Sequence, residues 1–148
     1  MVMLMTVFLC SLSAWCQSSV VTIGKAVTQC NDFAFAKKMI VNEGLTFDKK
    51  ESTSKCAVFK NSPKYADDVM VIKLYKKGTN KVDKCVITFA GDGKFGRTLA
   101  SDQRNNGYTY DGPAQPNFAE LYSCNHLGMG LDRDAKGYLV ATFLRYDQ

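Results

Sequence analysis

The chain divides at Cys16. Met1 to Cys16 (MVMLMTVFLCSLSAWC) carries no charge, whereas all nineteen Lys and Arg and all fourteen Asp and Glu lie beyond it, in a remainder with no second long apolar run. An apolar stretch of about a dozen residues ending in small side chains has the length of a secretory core and falls short of the roughly 20 that a membrane span needs. These residues therefore read as an export signal whose only positive charge is the α-amino group. Ala14 and Cys16 frame a small-x-small site whose cut frees Gln17, and a cut just before Trp15 is the alternative. Residues 17–148 are then expected to form a single secreted domain, large enough for a genuine core and with no stable membrane insertion after cleavage.

Six cysteines become four once Cys10 and Cys16 leave: Cys30, Cys56, Cys85 and Cys124. An even number in an exported chain implies disulfides, and four cysteines allow three connectivities that sequence leaves open. The nested one is expected, with Cys30–Cys124 tying the ends and Cys56–Cys85 joining two core strands; an outer loop of that size contributes on the order of 4 kcal/mol. Zinc is disfavoured, because there is no CxxC pair and the one histidine, His126, stands two residues from Cys124.

The net charge of +5 belongs wholly to the exported part. A basic surface suits RNA, an anionic membrane or an acidic polymer. The lysine pairs at 37/38, 49/50 and 76/77 are nevertheless spread over three segments among Asp and Glu, which reads as a generally solvated basic surface.

Local patterns give an α+β chain. Ser18 to Ile23 (SSVVTI) is β-branched and reads as a first strand. Asn31 to Glu43 has Phe33, Ala36 and Ile40 on one face, with Asn31 as cap, Asp32 at the positive end and Gly44 as stop, the one convincing helix. Cys56 to Phe59, Val69 to Tyr75, Lys84 to Ala90, Phe118 to Cys124 and Tyr138 to Tyr146 read as strands, the second and third joined through a turn at Lys77-Gly78-Thr79-Asn80. Gly91-Asp92-Gly93 reads as another hairpin turn, returning Phe95 to Ala100 beside Lys84 to Ala90. Ser101 to Pro116 reads as a long loop. The expected architecture is one N-terminal helix packed on a twisted antiparallel sheet, stapled by disulfides.

Absent chemistry is as informative. One histidine excludes any mechanism that needs two imidazoles in one chain, and no GxSxG, HExxH or EF-hand pattern occurs. Gly91-Asp92-Gly93-Lys94-Phe95-Gly96 matches GxGxxG, with Asp111 twenty residues past Gly91. That fingerprint requires a parallel βαβ unit, which an onward strand would not supply, so no nucleotide cofactor, and no cofactor of any kind, is expected. Asp132 and Asp134 around Arg133 read as a solvated turn. Tyr108 and Tyr110, with Arg104 nearby, form a set able to stack on and hydrogen-bond a base or sugar. Lys94 and Arg97 flank the glycine turn as the first candidates for phosphate contact.

The order of elements resembles a known family. A cysteine before one helix, then DKCVITFAGDGKFGRTLAS (Asp83 to Ser101) and NFAELYSC (Asn117 to Cys124), is similar to the small secreted ribonucleases and ribotoxins of fungi, and to the ribonuclease-like effectors of plant-pathogenic fungi. On that resemblance Asp83, Lys84, Gly93, Phe118 and Cys124 occupy family positions. The catalytic glutamate and histidine are missing: Val69 to Tyr75 holds no acid, and Leu99, Ala100 and Ser101 stand where the histidine belongs. The resemblance thus implies a scaffold that has lost cleavage. The expectation is a secreted, non-catalytic, effector-like protein, monomeric, binding a host protein or RNA through Lys94, Arg97, Arg104, Tyr108 and Tyr110. Two rivals are a hydrolase using His126 with nearby carboxylates and a β-barrel carrier of a small apolar ligand.

Overall fold

The computed structural model describes residues 18–61, 70–114 and 116–146; the expected leader and its cleavage site lie outside the described residues. Two helices come first. Ser19 caps α1 (Val20–Cys30), its hydroxyl accepting from the Thr22 amide at 3.2 Å. Val20, Ile23, Gly24, Val27 and Thr28 recur at helical spacing and are all buried. The strand expected over Ser18 to Ile23 is therefore a helix: the β-branched run is real, but its apolar period is 3.6 and continues past Gly24 to Cys30. Asn31 ends α1 with φ 49°, and its side-chain carbonyl accepts from the Val82 amide at 3.2 Å. The expected helix is α2 (Phe33–Asn42), capped by Asp32 rather than Asn31, with Phe33, Ala36 and Ile40 inward and Gly44 beyond its last turn.

Strands β1 (Thr46–Phe47), β2 (Cys56–Lys60), β3 (Val71–Lys77) and β4 (Lys81–Phe89) come next. The β3–β4 hairpin turns where the sequence places it. After β4 the chain departs from expectation, because Lys94–Asn105 is a helix, α3. Phe95 and Gln103 are its buried positions, with Leu99 partly buried between them, spaced four apart on one face. Gly96 packs so closely on the Gly91 backbone that a Cβ there would overlap the Gly91 carbonyl, so the third glycine of the GxGxxG run serves helix packing. Four more strands come after α3: β5 (Thr109–Ala114), β6 (Phe118–Cys124), β7 (Leu127–Arg133) and β8 (Leu139–Arg145). The segment read as a long loop holds the end of α3 and β5.

The eight strands form one antiparallel sheet in the order β1-β2-β3-β4-β8-β7-β6-β5. Two four-stranded meanders thus meet at β4 and β8, and α1 packs over that junction, where Gly24 lies directly on the Phe143 ring with no room for a side chain. One inward row runs Ala57, Leu74, Cys85, Phe143, Met129, Tyr122, Tyr110 across seven strands. It begins in the core and ends at Tyr110, which is 58% exposed. The α+β class stands, with three helices among the described residues instead of one. The sheet is open, ending at β1 and β5, so the closed barrel of the carrier reading is not formed among the described residues. Strand β1 has two residues, and β5 breaks register on both sides of Gly112 and contains Pro113.

The four cysteines are free thiols in this structure, not the nested pairs expected. Register explains one absence. Cys56 lies opposite Tyr75 and Cys85 opposite Leu74, so β3 separates them and their side chains leave opposite faces of the sheet. Two strand spacings of about 4.8 Å exceed the roughly 7 Å Cα limit of a disulfide. Cys30 and Cys124 are also unbonded, the first directed at the Val27 carbonyl (3.2 Å) and the second at the Asn106 carbonyl (3.6 Å).

Candidate functional site

Three adjoining clefts occupy the end of the sheet where β3 turns into β4. The first, of about 790 Å³, is lined by Lys77, Lys81, Arg145, Asn31 and the turn Gly78-Thr79-Asn80. The second adds Lys55, Lys76 and Asp83, and the third Lys84. Lys77 borders all three. Six of the nineteen Lys and Arg therefore gather there against one carboxylate, Asp83, among the described residues.

Four elements bring them together, and their joints are hydrogen-bonded. Asn80 holds the N-terminus of α2: its backbone carbonyl accepts from Phe33 N at 2.7 Å and its side-chain oxygen from Ala34 N at 3.0 Å. Arg145, at the end of β8, donates to the Gln29 carbonyl of α1 at 3.2 Å. Asn31 ties the α1–α2 junction to Val82. The Phe35 amide and the Asn80 side chain hold the Asp32 carboxyl below its ordinary value. Lys37 and Lys76 both lie over the Phe33 ring, at 5.5 and 5.8 Å, and Lys84 lies 4.9 Å from the half-buried Tyr75 ring. Positive side chains surrounding clefts of this kind concentrate anions.

The five binding residues expected from sequence scatter. Lys94, Arg97 and Arg104 are exposed along one stripe of α3, opposite the buried Phe95 and Gln103. Arg97 donates to the Asp92 carbonyl at 2.6 Å, and Lys94 lies 5.8 Å from the Phe95 ring. Tyr108 is a core residue, 5% exposed and edge-on to Phe143, with a phenol that burial pushes well above its usual value; it is not available for stacking. Tyr110 is available, tilted against Tyr122 with ring centroids 5.3 Å apart. The Tyr122 hydroxyl donates to Glu120 at 2.7 Å, and burial together with that carboxylate pushes its pKa up to about 12.

His126 occupies the exposed β6–β7 turn after Asn125 (φ 56°), with no carboxylate in ion-pair reach among the described residues. Asp132 and Asp134 organise their own exposed turn, Asp134 accepting from the Lys136 and Tyr138 amides. No cluster of three metal-ligating side chains occurs among the described residues, and none of their helices is long and apolar enough to cross a membrane.

The sequence shows Lys76 and Lys77 only as one of several scattered lysine pairs and Lys84 only as a position in the family resemblance, and it gives no reason to single out Lys81 and Arg145. The usable signal is the KKGTNK turn, which puts lysines on both arms of a tight hairpin; Arg145 joins only through the β4–β8 register. Comparison with known protein families, with curated proteins and with solved structures finds no match to this chain.

Proposed function

We propose that the chain is an exported, non-catalytic, effector-like binding protein that holds RNA by its phosphates at the β3–β4 hairpin end. The observation that carries this reading is the convergence of Lys77, Lys81 and Arg145 on one cleft. The adjoining clefts extend that cleft into a track. A positive groove that follows the phosphate backbone is one part of how single strands are held without base-specific contacts. The resemblance of Asp83 to Ser101 to secreted ribonucleases is the reason RNA is named ahead of an acidic host protein. The uncharged leader supports export. The isolation of His126 from carboxylates among the described residues supports binding over hydrolysis.

Fluorescence anisotropy with a labelled single-stranded RNA tests the proposal. Four phosphates neutralised by this end give a slope of log affinity against log salt of about −3. Replacing Lys81 and Arg145 together with Glu reduces the slope by about 1 to 1.5 and leaves the RNA intact. Salt-independent binding, preference for an acidic polypeptide over RNA, or RNA cleavage abolished by His126→Ala overturns it.

A further inference from the structure

A second surface lies on the outer side of α2. Helices packed on a sheet ordinarily show one apolar stripe and a polar back. Here the inward stripe is Phe33, Ala36 and Ile40, yet the back carries Phe35, 56% exposed, and Val41, 49% exposed. Phe47, on the neighbouring edge strand β1, is 44% exposed. Val41, Ala34, Phe47 and the edge of Phe59 line a shallow groove of about 400 Å³ with Lys37 and Lys38 on its rim. Two of the five large apolar side chains that stand exposed among the described residues, Val41 and Phe47, thus line this groove, and a third, Phe35, stands on the same outer side of α2. A patch of this kind on a soluble surface marks a docking site.

Its charge says what docks. Helix α2 (FAFAKKMIVN) contains two lysines and no acid. The neighbouring carboxylates are already engaged within the chain: the cap Asp32 accepts from the Phe35 amide at 2.8 Å, both Glu43 oxygens accept from Ser18, and Asp48 is paired with Lys60 at 2.9 Å. A second copy meeting this face across a two-fold axis would set lysines against lysines, which disfavours self-association. By helical position Lys38 falls between Phe35 and Val41, so charge and apolar bulk alternate across the face instead of separating into floor and rim. That pattern fits a membrane interface, where rings and aliphatic groups enter the acyl boundary while lysine stems carry their ammonium groups up to anionic headgroups.

We propose that α2 and β1 form a peripheral docking face for an anionic lipid surface, separate from the hairpin end. Sedimentation of the full chain with vesicles of phosphatidylcholine, with or without about a third phosphatidylserine, tests it. Binding is expected to the anionic vesicles alone and to weaken with salt. The double variant Phe35→Ser/Val41→Ser lowers vesicle affinity about tenfold or more, and Lys38→Glu does so by at least about fivefold. Both changes are at exposed positions, so unchanged circular dichroism and melting verify the fold. RNA affinity stays constant in these variants, while Lys81→Glu/Arg145→Glu shows the reverse behaviour. Absence of vesicle binding, or binding that responds only to the hairpin substitutions, overturns the proposal. So does loss of vesicle binding with retained capture of an acidic polypeptide that Phe35→Ser/Val41→Ser then abolishes.

Discussion

The two ends of β4 are both basic, and they differ in how the charge is assembled. Beyond Phe89, the glycine turn leads straight into α3, and its cations Lys94 and Arg97 come from a single turn of one helix. Arg97 is there bound to the Asp92 carbonyl, closing the turn on itself. Before Lys81, the hairpin end draws Lys77 and Lys81 from β3 and β4, Arg145 from β8 and amide groups from the α1–α2 junction. Neighbours in sequence thus make a solvated helix face, and residues far apart make a cleft. Positive charge becomes a site only where topology encloses it.

Changes under both ends have the largest expected effect. Phe143 is fully buried beneath α1, and Phe143→Ala costs about 3–5 kcal/mol in urea-midpoint measurements while weakening both ends together. If only one end loosened, as read by hydrogen exchange, the sheet would not be their shared support. Next comes Gly96→Val, which forces α3 off the Gly91 carbonyl and costs about 1–3 kcal/mol at the glycine-turn end. RNA affinity of the folded variant is expected to hold, since the hairpin end does not lean on α3.

Charge reversal sharpens the contrast directly. Lys81→Glu/Arg145→Glu lowers RNA affinity by about tenfold or more, and Lys94→Glu/Arg97→Glu by less than about threefold, both by anisotropy at one salt concentration. Equal losses would show that net charge alone matters. Asn80→Ala removes the side-chain acceptor for the Ala34 amide and costs about 1 kcal/mol of thermal stability, with a small decline in RNA binding as the cleft wall loosens.

The smallest effect is that of pH. Asp32, at the hairpin end, and Asp48, held by Lys60 and the Glu51 amide, both have carboxyl pKa values lowered from 3.8. A depressed folded pKa means the stabilisation is fully present above 3.8 and disappears as pH falls through the lower folded value. Asp32 is exposed and Asp48 partly so, so urea midpoints are expected to decline slightly between about pH 5 and pH 3, and Asp32→Asn to flatten part of that decline.

Much of the fold is legible where apolar spacing has one reading. Phe33, Ala36 and Ile40 announce α2, and alternation announces β2, β3, β4, β6 and β8. Helix α1 is hidden because Val20, Val21, Thr22 and Ile23 are β-branched, and its helical period shows only when the run is followed on to Val27 and Thr28, which pack with it against β4 and β8. Helix α3 is hidden because Gly93 and Gly96 read as turn punctuation, when one caps the helix and the other packs it. The thiols illustrate the same limit, since parity on the pleat forbids Cys56–Cys85 and spacing along the chain carries no parity. Of the candidate site, the lysines at 76, 77 and 84 are visible as residues, but their partnership with Arg145 exists only through the β4–β8 ladder.

The short β1 and the twice-kinked β5 have a further consequence. An open sheet of this width invites strand-by-strand polymerisation, yet one border offers two residues and the other a broken, proline-bearing rim. Among the described residues both borders are therefore poor templates for an added strand, the first for want of length and the second because Pro113 has no N–H to donate.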